Sequence, residues 1–278
     1  MTVIGREDMN IHVDFKRLPE LINPAFYPYL WSKVRYLVLY GGAGSGKSVF
    51  AAQKIIYRTV TESGHRFLCV RKVAATIRES QFQLLKSIIH QWGLDKLFAI
   101  PKGTGDMTIT YLPNGNQIIF TGLDDAEKLK SITDITGIWV EEASEITQEE
   151  YQQLDMRLRG LSPHYKQIML TFNPIIAGHW LQQYWFGLKQ PKALALKTTY
   201  RDNQFIDPEY RDVIEGMRLT NPNWYKVYGL GEWGVYEGQF FSMWDSSVHV
   251  VKPFAIPVSW PRYRAMDWGS AKPYCVGW

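Results

Sequence analysis

A continuous apolar run that ends in a glycine-rich turn, followed at once by Lys-Ser and another apolar stretch, leaves a chain few folds to choose from. Tyr36-Leu-Val-Leu-Tyr40 leads into Gly41-Gly-Ala-Gly-Ser-Gly46, then Lys47, Ser48 and mostly apolar residues to Val60. Short unbroken apolar runs belong to strands buried on both faces, and such strands form parallel sheets covered by helices. Gly41-x4-Gly46-Lys47-Ser48 fits the Walker A pattern. There the glycines let the backbone come close to phosphate oxygens, which the amides of the loop and of the following helix end surround. Gly41, Gly42, Gly44, Ser45, Gly46, Lys47 and Ser48 are therefore the expected nucleotide cradle, with Lys47 on the outer phosphates and Ser48 on magnesium. The expected cofactors are ATP and Mg²⁺.

The pattern continues as alternating strand and helix. Phe67 to Val70 reads as a strand, and Ile77 to Trp92 carries Ile77, Leu84, Leu85, Ile88 and Ile89 at helical spacing. Met107 to Tyr111 and Gln117 to Thr121 flank Pro113-Asn114-Gly115, a hairpin with Asn-Gly in its turn. Ile138-Trp-Val140 is a short buried strand. Thr147-Gln-Glu-Glu150 is a capping box opening a helix with Tyr151, Leu154 and Leu158 on its apolar face and Gly160 as its stop. Ile168 to Thr171 and Ala195 to Thr199 supply two more strands. Asp207-Pro208 and Asn221-Pro222 then place a capping residue before proline at the first helical position.

Two carboxylates follow the strand at 138–140. Glu141 can hold the magnesium shell, and Glu142 can orient or deprotonate an attacking water, which favours hydrolysis over transfer to an acceptor. Asn173 follows the strand at 168–171, and a polar group at the carboxyl end of a strand in an open α/β sheet faces the ligand crevice. It is the expected sensor of the γ-phosphate.

Composition narrows the setting without choosing the chemistry. The 278 residues are 46% hydrophobic, enough for a full core. No apolar run of membrane-spanning length and no secretory leader is visible, so a soluble cytoplasmic protein is expected. Cys69 and Cys275 are too few and too far apart for a disulfide framework or a zinc site. The net charge of +4 permits a nucleic-acid partner without demanding one.

Taken together, Tyr40-Gly-Gly-Ala-Gly-Ser-Gly-Lys-Ser48, Leu129-Lys-Ser-Ile132, Trp139-Val-Glu-Glu-Ala143, Thr171-Phe-Asn-Pro174, Tyr200-Arg-Asp-Asn203 and Gly229-Leu-Gly-Glu-Trp233 resemble the large terminase subunit of tailed phages. The resemblance covers nearly the whole chain. It implies an α/β protein, a P-loop NTPase of the additional-strand catalytic-glutamate type, with a mostly parallel sheet, helices on both faces and a small helical lid. It also implies an ATP-hydrolysing motor that moves double-stranded DNA into a procapsid. Glu141 matches the Walker B acid, Glu142 the catalytic carboxylate, and Thr171 to Asn173 the coupling motif.

Residues 1–34 are expected to be an arm near the nucleotide, with Phe26 and Tyr27 where the family contacts adenine. Residues 35–200 would then be the ATPase core, 201–237 the lid, 238–262 a linker, and 263–278 the start of an RNase H-like nuclease domain. In that last segment Asp267 would ligate one of the nuclease's divalent metal ions, and a working nuclease is expected only in a longer chain. Ala43 stands where many relatives carry an arginine. Arg159, with Arg157, is the expected substitute presented to a neighbouring subunit, while Arg71 and Arg78 are candidates within the same subunit. Implied partners are double-stranded DNA, the portal protein, the small terminase subunit and further copies in a ring when docked, with a monomer in isolation and no membrane. The expected place is the cytoplasm of the infected bacterium, neither secreted nor retained in the mature virion. Competing readings are a helicase or recombinase, a nucleotide or small-molecule kinase, and a nucleotide-binding assembly module that does not hydrolyse.

Overall fold

The computed structural model describes residues 2–4, 10–102, 107–124, 131–188, 190–234, 249–261, 263, 265–267 and 275–277. They fall into two compact units, Met1–Tyr236 and Glu237–Trp278.

The first unit is built on an eight-stranded sheet: β1 (Tyr36–Gly41), β2 (Arg66–Arg71), β3 (Phe98–Ala99), β4 (Thr108–Tyr111), β5 (Gln117–Gly122), β6 (Gly137–Glu141), β7 (Gln167–Phe172) and β8 (Ala193–Thr198). Their order is β8-β1-β7-β6-β2-β5-β4-β3. The first six are parallel, and β4 and β3 extend the edge in antiparallel fashion. β7 thus lies between the strand that carries the glycine loop and the strand that ends in the two carboxylates, the additional strand the sequence led us to expect. The turn between β4 and β5 holds Gly115 at φ 75°, with its amide on the Tyr111 carbonyl at 2.9 Å.

The longer helices among the described residues are α1 (Lys47–Thr61), α2 (Gln83–Gln91), α3 (Gln148–Arg157) and α4 (Pro208–Thr220). Because side chains alternate along a strand, β1 sends Leu37 and Leu39 to one face and Val38 to the other. The first face packs with Phe50, Ile55 and Ile56 of α1 and Leu85 and Ile88 of α2. The second packs with Tyr151 and Leu154 of α3. Burying both faces is what allows β6 to be apolar at each of its positions before Glu141. A third cluster of Tyr200, Ile214 and Tyr225 forms a small helical lid around α4, whose cap is Asp207 with proline behind it. No helix among the described residues is long and apolar enough to cross a membrane.

Three local expectations change. The first twelve residues include a hairpin, Thr2–Ile4 against Asn10–His12, where an irregular arm was expected. The helix expected over 77–92 opens with a wider π turn at Arg78–Phe82 before α2. The third change is at α3, which stops at Arg157 rather than at Gly160. Gly160 instead donates to the Ile135 carbonyl at 2.8 Å, and a Cβ there would sit 2.3 Å from the Asp134 oxygen, so the glycine serves close backbone approach. In the second unit Ala265–Asp267 pairs antiparallel with Cys275–Gly277. The side chain of Asp267, the expected nuclease metal ligand, lies outside the described residues, as do Leu129 and Lys130 of the quoted motif.

Candidate nucleotide-binding site

The glycine loop turns between β1 and α1 at the carboxyl edge of the sheet. Gly41 has φ 139°, and a Cβ on it would come within 1.8 Å of the Thr198 carbonyl oxygen on neighbouring β8, so the adjacent strand excludes any side chain. Gly46, left-handed at φ 88°, starts α1. The loop is braced from outside by residues far away in sequence. Gly42 N donates to Thr198 O at 2.9 Å, Ala43 N to Tyr228 O at 2.7 Å, and Asn203 Nδ2 to Gly44 O at 2.7 Å. Asn203 and the Tyr228–Gly231 segment are functional positions that local pattern does not reveal; only the motif resemblance around Tyr200 and Gly229 touched them.

The loop lines one wall of a cavity of about 280 Å³ whose other walls are Glu142, Thr171, Phe172 and Asn173. Buried Lys47 points its ammonium at Gly42 O (2.6 Å) and Asn173 Oδ1 (3.0 Å), with Ser45 Oγ at 3.2 Å. Burial lowers its pKa to about 8, and the nearby Glu142 pulls it back up. An arriving anion restores what burial removes, so this lysine is poised to take a phosphate in place of the loop carbonyls.

Glu141 ends β6 and is nearly fully buried. Burial raises its pKa, while Arg71 and hydrogen bonds from Ser48 and Ser80 lower it again. Its Oε2 is buried without a hydrogen-bond partner. A serine hydroxyl at the head of α1 beside a carboxylate with an unspent oxygen fits a hard divalent cation such as Mg²⁺, which prefers oxygen donors. Glu142, the next residue, adopts the left-handed conformation at φ 51°, unusual for a non-glycine and found at functional sites, at a cost of about 1–3 kcal/mol. That turn sends the two adjacent carboxylates in different directions. Glu142 lines the cavity, and its pKa is raised by burial, then lowered by Lys47 and Arg71. A carboxylate with a raised pKa is a better general base.

Asn173, just after β7, reaches the same cavity through its bond to Lys47. Thr171, two residues earlier, accepts from Trp139 Nε1 at 3.0 Å, so β7 and the acidic strand β6 are tied directly behind the site. The structure therefore brings together the loop residues, Lys47, Ser48, Glu141, Glu142 and Asn173.

Arg159 is not brought there. It follows α3 next to Gly160, which is bonded to Ile135, so it lies where β6 begins while the carboxylates lie where β6 ends. At about 3.3 Å per residue that is roughly 20 Å away, and Arg159 is turned to solvent. Because α3 runs back along the sheet, Arg159 does not serve the carboxylates of its own subunit, and the role expected of it toward a neighbouring subunit is one that a single chain does not test. The arginine at the site is Arg71, which ends β2 alongside Glu141, is mostly buried, and stands 3.7 Å from Glu145. Its Nε is buried without a hydrogen-bond partner.

The adenine expectation also shifts. Phe26 is fully buried and stacked on Phe50 at 5.0 Å, so its ring belongs to the core. Beside it a smaller cavity of about 150 Å³ is lined by Leu21, Asn23, Gly46, Val49, Phe50, Gln53, Asn203 and Phe205. Asn23 Nδ2 is buried without a partner.

Comparison with known proteins places this geometry. A family model described as phage terminase large subunit matches residues 33–232. The PBSX phage terminase large subunit of Bacillus subtilis is 30% identical over 91% of this chain and 62% of its own length. The large subunit of Bacillus phage SPP1 terminase is 31% identical over 78% of this chain and 54% of its own. The chain therefore spans between half and two thirds of the curated relatives it matches. Among solved structures, the large terminase of a thermophilic bacteriophage in complex with ADP superposes with a TM-score of 0.65 at 20% identity, covering 92% of this chain and 64% of that one. The ATPase domain of Thermus phage P74-26 large terminase does so with a TM-score of 0.58 at 13% identity, over 79% of this chain and 98% of that one. With the family model covering residues 33–232 and a curated relative 30% identical over 91% of the chain, the chain belongs to the phage terminase large subunit family.

Proposed function

We propose that this chain is the ATP-hydrolysing motor region of a DNA-packaging enzyme, driving double-stranded DNA into a procapsid. The observation that carries the reading is the convergence of Glu142, Lys47 and Asn173 on the one cavity cradled by Gly44 to Ser48. Glu142 accepts the proton of the attacking water, Lys47 meets the outer phosphates, and Asn173, which shares Lys47, registers whether the γ-phosphate is present. Ser48 and Glu141 would hold Mg²⁺, whose charge would offset that of the phosphates. Arg71 supplies positive charge to both carboxylates from within the same subunit, the role left open by Ala43. The base sits in the smaller cavity, where the free Nδ2 of Asn23 donates to a ring nitrogen of adenine.

On this reading the partners are double-stranded DNA, the portal of the procapsid, the small terminase subunit and further copies of the chain in a docked ring, all in the cytoplasm of the infected host. The second unit is the start of a nuclease domain in which Asp267 would contribute to a divalent-metal site. Release of phosphate from ATP by the purified chain, without any acceptor and with and without duplex DNA, tests the reading. Turnover without acceptor is expected, and turnover only with an added acceptor molecule would identify a kinase instead.

A further inference from the structure

The helical stretch from Arg78 to Gln91 has two distinct faces. Its inner face meets the acidic strand: the fully buried Gln81 directs Nε2 at the Trp139 carbonyl at 3.4 Å, and the Ser80 hydroxyl, which donates to Thr76 O at 2.8 Å, lies beside the Glu141 carboxylate and helps hold its pKa down. Its outer face carries Arg78 and Lys86, with the buried Phe82 between them at intervals of four residues, its ring edge-on to Phe120 of the core. Opposite them the chain leaving β3 presents Ile100, Pro101 and Lys102. Between the two walls lies a cavity of about 350 Å³, larger than the nucleotide cavity. Among its lining residues three cations face a single carboxylate, Glu79, across a floor of Phe82, Ile100 and Pro101, and Lys86 and Lys102 are exposed.

Spaced cations over an apolar floor suit an extended anion whose charges are separated by less polar groups, as phosphates are by sugars along a nucleic-acid strand. A compact anion would need the cations to converge on one point. We propose that the groove formed by Arg78, Lys86 and Lys102 grips the phosphodiester backbone of duplex DNA, and that the helix relays its occupancy to Glu141 through Ser80. The inference rests on the motor reading above and adds to it where DNA is held and how its presence reaches the hydrolytic site. A backbone strand in the groove pulls on Arg78, two residues from Ser80, so DNA contact and carboxylate position become one mechanical unit.

The test uses the full chain in three forms: wild type, the double variant Lys86→Glu with Lys102→Glu, and Ser80→Ala. Duplex DNA binding is measured by fluorescence anisotropy over a range of salt, nucleotide binding confirms folding, and phosphate release is measured with and without duplex. The double variant is expected to bind duplex about tenfold more weakly or worse, with the salt slope reduced by about two, and to keep its DNA-free turnover. Ser80→Ala is expected to bind duplex as wild type does while the ratio of DNA-stimulated to DNA-free turnover falls to near one. Unchanged duplex affinity and salt slope in the double variant, alongside normal wild-type turnover, would overturn the groove and leave the hydrolase reading standing. Full stimulation in Ser80→Ala would overturn the relay. Absence of phosphate release in the wild type would strike the underlying reading itself.

Discussion

Lys47 spends its ammonium on loop carbonyls and Asn173 before any nucleotide arrives, so the site is preformed and the lysine has only to exchange partners. Lys47→Ala is accordingly expected to abolish tight ATP binding, as read by calorimetry, while leaving the thermal midpoint close to wild type. Arg71 makes a sharper case, because its ion pair with Glu145 is a loose one, yet its charge acts on both Glu141 and Glu142. Removing one preorganised charge of this kind costs roughly 100-fold in turnover, and Arg71→Ala should show a loss of that order with Arg71→Lys restoring part of it. Mixing decides where the arginine acts. Subunits carrying Arg71→Ala mixed with subunits carrying Glu142→Gln should stay inactive, since each has a defective pocket of its own. Restored turnover would mean that the arginine is delivered between subunits, and an Arg159→Ala mixture that recovers activity would return that role to the far edge of the sheet.

Among the elements, the join of α1 to β2 carries a buried polar cluster opposite the active edge. His65 is fully buried, with Nε2 at 2.6 Å from Glu62 and Nδ1 at 2.9 Å from the Thr136 hydroxyl, while Arg58 bonds the same carboxylate at 2.9 Å. A carboxylate only accepts, so Nε2 carries a proton and donates it toward Glu62. Burial holds the His65 pKa below its ordinary 6.5, and despite burial the bond from His65 and the charge of Arg58 hold Glu62 below 4.5. Both groups resist protonation more in the folded chain than in the unfolded one, so the unfolded state binds more protons and stability falls as pH drops, from about 6.5 for His65 and from about 4.5 for Glu62. Urea midpoints at pH 7.5 and 5.5 should therefore differ for wild type and differ less for His65→Gln; equal differences would contradict this account of the cluster. Much of this layer was legible in the sequence. The apolar runs of β1, β6 and β7, the Asn114-Gly115 turn and the Thr147 capping box each rest on interactions within a few residues, and the structure has them where they were expected. The bracing of the loop by Asn203 and Tyr228 was not legible, because those contacts join residues more than 150 positions apart. Arg71 was named as a candidate within the same subunit, but the sequence could not rank it above Arg78, since sequence distance does not say which end of a strand a side chain reaches. The three-residue strands of the opening hairpin are too short to carry a periodic signal.

For the whole molecule, the order of the sheet is what makes the chemistry possible. Placing β7 between β1 and β6 puts Asn173 after the strand that separates the glycine loop from the carboxylates, and the Trp139–Thr171 bond ties that strand to β6. Asn203 joins the helical segment around α4 to the glycine loop, and on the proposed relay Ser80 would join the outer groove to Glu141, giving events at the surface short paths to the site. All of it depends on Glu142 being the base of a hydrolase. The most direct measurement is ATP affinity together with single-turnover phosphate release in wild type and Glu142→Gln, a change that keeps the shape of the side chain and removes its basicity. The predicted result is an affinity within a few fold of wild type and a release rate lower by roughly 10² to 10⁴. Release at the wild-type rate in Glu142→Gln would contradict the central claim.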